Sequence, residues 1–214
     1  FNELIDEINK MRMNLNADDP NAVHQVSKEI QELIIKAEMP QDLGKSIMLA
    51  YDEMVKKIFE RTNISKPPSV ALRSSAIGED SELSYAGQYL SILNVPKAEI
   101  CESYKNIIAS LYTPRAISYR LNKGMRDEDI SMSVACIEMV SSVASGVMYS
   151  RHPYNLVSDD VLINAVWGLG PYAVEGIVIP DTYIVSKFGD MEILHKNISV
   201  KHVQLVSNEE SGLI

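Results

Sequence analysis

Apolar residues in the first third of the chain recur at steps of three and four, which places them on single helix faces. Phe1, Leu4, Ile5, Ile8, Met11 and Leu15 form one such stripe. Asp18-Asp19-Pro20 interrupts it, with Asp19 suited to cap a second helix and Pro20 to its first turn. Val23, Val26, Ile30, Leu33 and Ile34 carry the second stripe, which stops at Met39-Pro40. Leu43, Ile47, Ala50, Tyr51, Met54 and Ile58 carry a third. Lys66-Pro67-Pro68 then breaks the pattern, and it divides the chain into a helical section, 1–65, and a second section, 66–214.

Residues 69–75 and 88–95 read as strands. Pro96 opens another helix, with Ile100, Tyr104, Ile107, Ile108 and Leu111 on one face. Thr113-Pro114 interrupts and restarts it, and the restarted helix runs to about Gly124. From Ser131 the period changes. Segments 131–140, 143–150, 161–167, 182–187 and 192–195 are short, rich in β-branched residues and bounded by turn residues. Helices followed by a run of strands predict an α+β fold, with a helical N-terminal section and a mostly antiparallel sheet.

The 214 residues carry a formal net charge of −9. A general nucleic-acid binder needs a basic face to displace counterions, so that class is excluded. A single nucleotide is not, because a few cations in one place suffice for its phosphates. Cys101 and Cys136 stand alone in apolar contexts and read as reduced packing residues, which fits a reducing cytosol. No run approaches the roughly 18 apolar residues of a membrane helix, and no signal peptide is visible. The chain starts at Phe1 in mid-helix pattern, as expected of a piece of a longer protein.

Chemistry concentrates in the segment from Ser69 to Gln88. An apolar run delivers Arg73 to small polar residues, Gly78 and the acids Glu79 and Asp80, and Ser84-Tyr85-Ala86-Gly87 follow. Arg73 has two readings. A guanidinium offers forked donors that match phosphate oxygens; equally, it can pair with Glu79, Asp80 or Glu82. Gly78 and Gly87 favour the first, because glycine lets backbone N–H groups approach an anion. No glycine-lysine-serine/threonine run follows, so this is no Walker loop. Ser74 and Ser75 have no base to activate them and read as loop hydrogen-bonders.

Ile137-Glu138-Met139-Val140 ends an apolar strand. A nucleotide base can pair with such an edge, or the segment is a plain hairpin connection. Gly168 and Gly170, after Trp167, suggest a tight turn or a close backbone approach. His152, His195 and His202 form no zinc-ligand set.

Taken together, these segments resemble the phosphoenolpyruvate synthases. Val70–Asp80 with Tyr85-Ala86-Gly87-Gln88 and Leu93-Asn94-Val95 resembles "VRSSA-x-x-ED … FAGQ … LNV". Ser110–Arg120 resembles "SLFTxRAxxYR", and Ser145–Tyr149 resembles "SGVxF". Asn164–Gly170 resembles "ExxWGLG", and Gly176–Val185 resembles "GxVxPDxYxV". Order and spacing agree over roughly residues 65–190. The wider group includes pyruvate phosphate dikinase and rifampin phosphotransferase, where this region is an ATP-binding domain of ATP-grasp type.

The resemblance implies ATP and Mg²⁺ as ligands. It implies that Arg73 contacts the ATP phosphates, that Gly87 does so after a mobile loop, and that Ser91 keeps a hydroxyl near the nucleotide. It implies that Ile137, Glu138, Met139 and Val140 match the "QKMV" edge that holds adenine. Ile137 stands in place of glutamine, Glu138 in place of lysine, and Pro171 where "GLGE" has its acid. The family's phosphate-binding lysine would precede Phe1, and its later acidic strand and "QSRP" segment would follow Ile214. The implied partners are a swivelling phosphohistidine domain and a pyruvate-binding domain. The implied reaction passes phosphate from ATP to histidine and then to pyruvate, and the 214 residues alone are expected to be inactive. Transfer to an antibiotic, and a nucleotide-sensing module without transfer, are the alternatives.

Overall fold

A computed structural model of the chain describes residues 2–13, 15–62, 66–76, 90–125, 131–155, 157–208 and 212–213. The chain forms two compact units, Phe1–Met139 and Val140–Ile214. The break at Lys66-Pro67-Pro68, taken from the sequence as a section boundary, lies within the first of them.

The first unit holds five helices, α1 (Asn2–Arg12), α2 (Pro20–Lys36), α3 (Gln41–Arg61), α4 (Ile100–Ala109) and α5 (Pro114–Lys123), among the described residues. Asp19 caps α2, its carboxylate accepting from the N–H groups of Asn21 and Ala22. Thr113 caps α5 through Ala116 N–H, with Pro114 in the first turn. Gly124, at φ 64, closes α5 in the left-handed conformation that glycine adopts without strain.

Three strands, β1 (Val70–Ala76), β2 (Ser91–Val95) and β3 (Met132–Glu138), form an antiparallel sheet in the order β2-β1-β3. One sheet face packs on helices. Val70 and Leu72 of β1 join Val95 of β2, Tyr51 and Val55 of α3, and Ile100 and Ile107 of α4 in a buried cluster. Burying each such side chain contributes about 1.5–3 kcal/mol. In β2, Ile92 pairs with Leu72 and Val95 with Val70, so β2 spends one residue more than β1 between the two pairings. Asn94, at φ 56, takes up the extra residue as a bulge, and Val95 still reaches the core. A second cluster joins Ile8, Ile30, Ile34 and Ala109 from α1, α2 and α4. Helix α4 thus serves both clusters, which ties the early helices to the sheet.

Arg120 is a charged side chain within the core. It is 1% exposed in α5, its guanidinium donates to Leu111 C=O, and it lies 5.2 Å from the centre of the Tyr112 ring.

The second unit is built on an antiparallel sheet of β4 (Ala144–Tyr149), β5 (Val161–Trp167), β6 (Asp181–Val185) and β7 (Ile193–Asn197), in chain order. The α+β class is therefore as expected, with an N-terminal helical part and antiparallel sheets.

Candidate functional site

Strand β1 places Arg73 at the centre of a sheet. Its Cα partners are Ser91 on β2 and Ala135 on β3. Side chains alternate along a strand, so Val70 and Leu72 turn to the helical core while Ala71, Arg73 and Ser75 take the opposite face. Paired residues share a face, which adds Ser91, Ser133, Ala135 and Ile137 to it. Arg73 thus stands among small residues, with three hydroxyls near it and the half-exposed Ile137 farther along β3.

Arg73 and Ser91 are exposed, and neither side chain has a hydrogen-bond or ion-pair partner among the described residues. The acids that could pair with Arg73, namely Glu79, Asp80 and Glu82, lie outside the described residues. So does Gly87, the second anchor expected from the sequence. Residues Ser133 and Ser75, which the register sets opposite one another, were not singled out as ligand groups. The alternation in Leu72-Arg73-Ser74-Ser75 carries the signal for Ser75; Ser133 needs the β1–β3 pairing.

The 137–140 segment is the exit of β3, an edge strand. The Glu138 carboxylate is committed, accepting from Arg61 Nη2 at 2.5 Å. Met139 N–H is also committed, donating to Ser69 C=O at 3.0 Å. Backbone groups alternate sides along an antiparallel ladder. If Met139 faces β1, the N–H and C=O of Glu138 face the open edge. Ile137 is 47% exposed and Val140 68%. Val140 begins the second unit, so Ile137, Glu138 and Met139 stay with Arg73 and Ser91 in the first.

The glycines of the second unit do structural work. A Cβ on Gly168, whose φ is 74, would stand 2.1 Å from Leu205 C=O, and one on Gly146 would stand 2.3 Å from Asn164 C=O. Gly168 C=O accepts from the hydroxyls of Ser142 (3.0 Å) and Ser145 (2.7 Å). Pro171, in place of an acid, sits in the first turn of a short 3₁₀ segment, Gly170–Ala173. Asp181 is held by Lys201 Nζ and by Ser199 N–H. Burial pushes its carboxyl up, but these contacts outweigh burial and hold it below its ordinary 3.8.

The comparisons with known proteins agree with this architecture. The family model "Pyruvate phosphate dikinase, AMP/ATP-binding domain" matches residues 1–213. The chain belongs to that family. It is similar to a probable phosphoenolpyruvate synthase of Methanocaldococcus jannaschii, 37% identical over 97% of this chain and 17% of the relative. The phosphoenolpyruvate synthase of Pyrococcus furiosus is 36% identical over 91% of this chain and 23% of its own length. A probable phosphoenolpyruvate synthase of Archaeoglobus fulgidus is 41% identical over 86% of this chain and 24% of its own length. The chain thus spans under a quarter of the length of each of these relatives.

Among the described residues, no group of three or more His, Cys, Asp and Glu side chains could hold a metal ion. The expected Mg²⁺ therefore finds no protein ligand set there. No described helix is long and apolar enough to cross a membrane.

Proposed function

We propose that the chain is the ATP-binding part, of ATP-grasp type, of a cytoplasmic phosphoenolpyruvate synthase-like phosphotransferase. In this reading the parent protein moves phosphate from ATP to a histidine on a swivelling domain, and from there to pyruvate on another. One observation carries the reading: Arg73, exposed and unpaired among the described residues, with Ser91 directly beside it, on the face of the β2-β1-β3 sheet opposite the helical core. Arg73 binds and orients the phosphates through its forked donors. Ser91, Ser75 and Ser133 supply hydroxyls around it. The family resemblance adds Gly87, outside the described residues, as a backbone N–H donor to the phosphates.

From Ser75 to Ala71 the strand rises about 13 Å at ~3.3 Å per residue. That run leads from the hydroxyl-rich end of the face toward Ile137, paired with Ala71, and the β3 exit. We place the base at that exit, pairing with the outward backbone groups of Glu138, flanked by Ile137 and Met139. The side-chain changes at Ile137 and Glu138 leave such backbone contacts intact. Mg²⁺ would neutralise phosphate charge when bound, and hard-cation chemistry lets it rely mostly on phosphate oxygens and water. Catalysis in this reading is positioning and charge neutralisation.

The test is titration of a non-hydrolysable ATP analogue into the full-length parent, with and without Mg²⁺, for wild type and Arg73→Ala. Loss of hydrogen bonds to charged phosphate should weaken binding by about tenfold or more, from ~1.5–3 kcal/mol. Unchanged affinity in Arg73→Ala would remove Arg73 from the site. Retained binding without phosphoryl transfer in the wild-type parent would favour a sensing module.

A further inference from the structure

The sheet that carries Arg73 has a second feature on its other face. Between that face and helices α3 and α4 lies a cavity of about 380 Å³. Its walls include Ile47 and Tyr51 of α3, Leu72 of β1, Ile100 and Tyr104 of α4, and Cys136 of β3. The volume falls within the range of small-molecule sites, about 300–1,000 Å³. No charged side chain lines it. Burial pushes the phenols of Tyr51 and Tyr104 and the thiol of Cys136 up, so all three stay neutral near pH 7.

The polar groups present are few. Tyr51 OH already donates to Pro68 C=O at 3.1 Å. The Tyr104 hydroxyl has no hydrogen-bond partner among the described residues. Water held here finds few of the two to four partners that an ordered water needs. A charged ligand would lose its hydration without compensation. An apolar one gains contact with the aliphatic walls and with two aromatic rings.

We propose that this cavity is a binding site for a small, neutral, aromatic molecule, separate from the nucleotide face. The separation follows from alternation: Leu72 and Cys136 are register partners on one face, and Arg73 and Ala135 are partners on the other. Ligand and nucleotide therefore bind on opposite sides of the same strands. Cys136 is accessible to solvent and reports on occupancy. Cys101, outside the cavity walls, is an internal reference.

The test uses indole as the probe. Alkylation of Cys136 and Cys101 by N-ethylmaleimide is followed by mass spectrometry at mildly alkaline pH, with rising indole. The expected result is saturable slowing at Cys136, about tenfold when indole is ten times its dissociation constant, with Cys101 unchanged. Ala50 sits on the cavity wall but is exposed, so Ala50→Trp fills the space without disturbing the core. That variant should keep its thermal stability and lose the protection. A saturating ATP analogue should leave the protection in place. Unprotected Cys136, equal slowing at both cysteines, protection surviving in Ala50→Trp, or displacement of indole by the ATP analogue would each overturn the proposal.

Discussion

At the scale of single residues, the same residue type does opposite jobs according to its surroundings. Arg73 is exposed and unpaired among the described residues, whereas Arg120 is buried against a carbonyl and a ring. Both lie inside short, strongly patterned segments, and nothing local in the sequence separates them. The reason is that pairing depends on strand and helix packing, which neighbours in the chain do not specify. Arg73→Lys keeps the charge and loses the fork, so ATP-analogue affinity in the parent should fall between wild type and Arg73→Ala; equality with wild type would show that charge alone matters. Gly168 makes a sharper case. Its positive φ and the Leu205 carbonyl 2.1 Å from a would-be Cβ mean that Gly168→Ala must move backbone. We expect a loss of at least about 1–3 kcal/mol, the scale of stored backbone strain, read as a lower urea midpoint. The doublet of glycines after Trp167 was legible as a tight turn or a close backbone approach; the bridge to Leu205 was not.

At the scale of elements, caps and breaks were readable because they are local. Asp19-Pro20 and Thr113-Pro114 start α2 and α5 as their chemistry demands, and Thr113→Ala should lower stability by about 1 kcal/mol, checked by thermal unfolding. Register was not readable. The placement of Ser91 and Ala135 beside Arg73 depends on the bulge at Asn94 and on the β1–β3 ladder.

The β6 start shows the same limit. Asp181 was visible as part of a motif, but its buried partner Lys201, 2% exposed, lies beyond β7 in the chain. The folded state holds the Asp181 carboxyl below its ordinary 3.8. Its contribution is thus fully present above that value and fades as pH falls through the lowered one. Asp181→Asn removes the carboxylate while Lys201 Nζ keeps the Ser199 carbonyl at 2.9 Å, so it should cost about 1–3 kcal/mol at neutral pH. The gap between wild type and variant should narrow in acid. A gap that stays constant with pH, measured by thermal unfolding, would sever the Asp181 carboxylate from the effect.

At the scale of the whole molecule, the two units differ in how well their described residues are covered. In the first, β1 lies between two strands and over a helical core. In the second, every residue of β7 is exposed, and Leu162, Val166 and Leu169 are its buried hydrophobics among the described residues. Amide exchange should therefore be slowest in β1 and much faster in β7; comparable protection in the two strands would contradict that ranking. By itself, the sequence determined the α+β class, the helix starts and stops, the strand segments and the family resemblance. Each of these rests on short-range periodicity or on ordered local motifs. Only the tertiary structure decided which hydroxyls flank Arg73, which backbone groups of the β3 exit are already committed, and that a cavity lies behind the same strands. These depend on register and on long-range packing, where one residue of slippage turns every side chain to the other face.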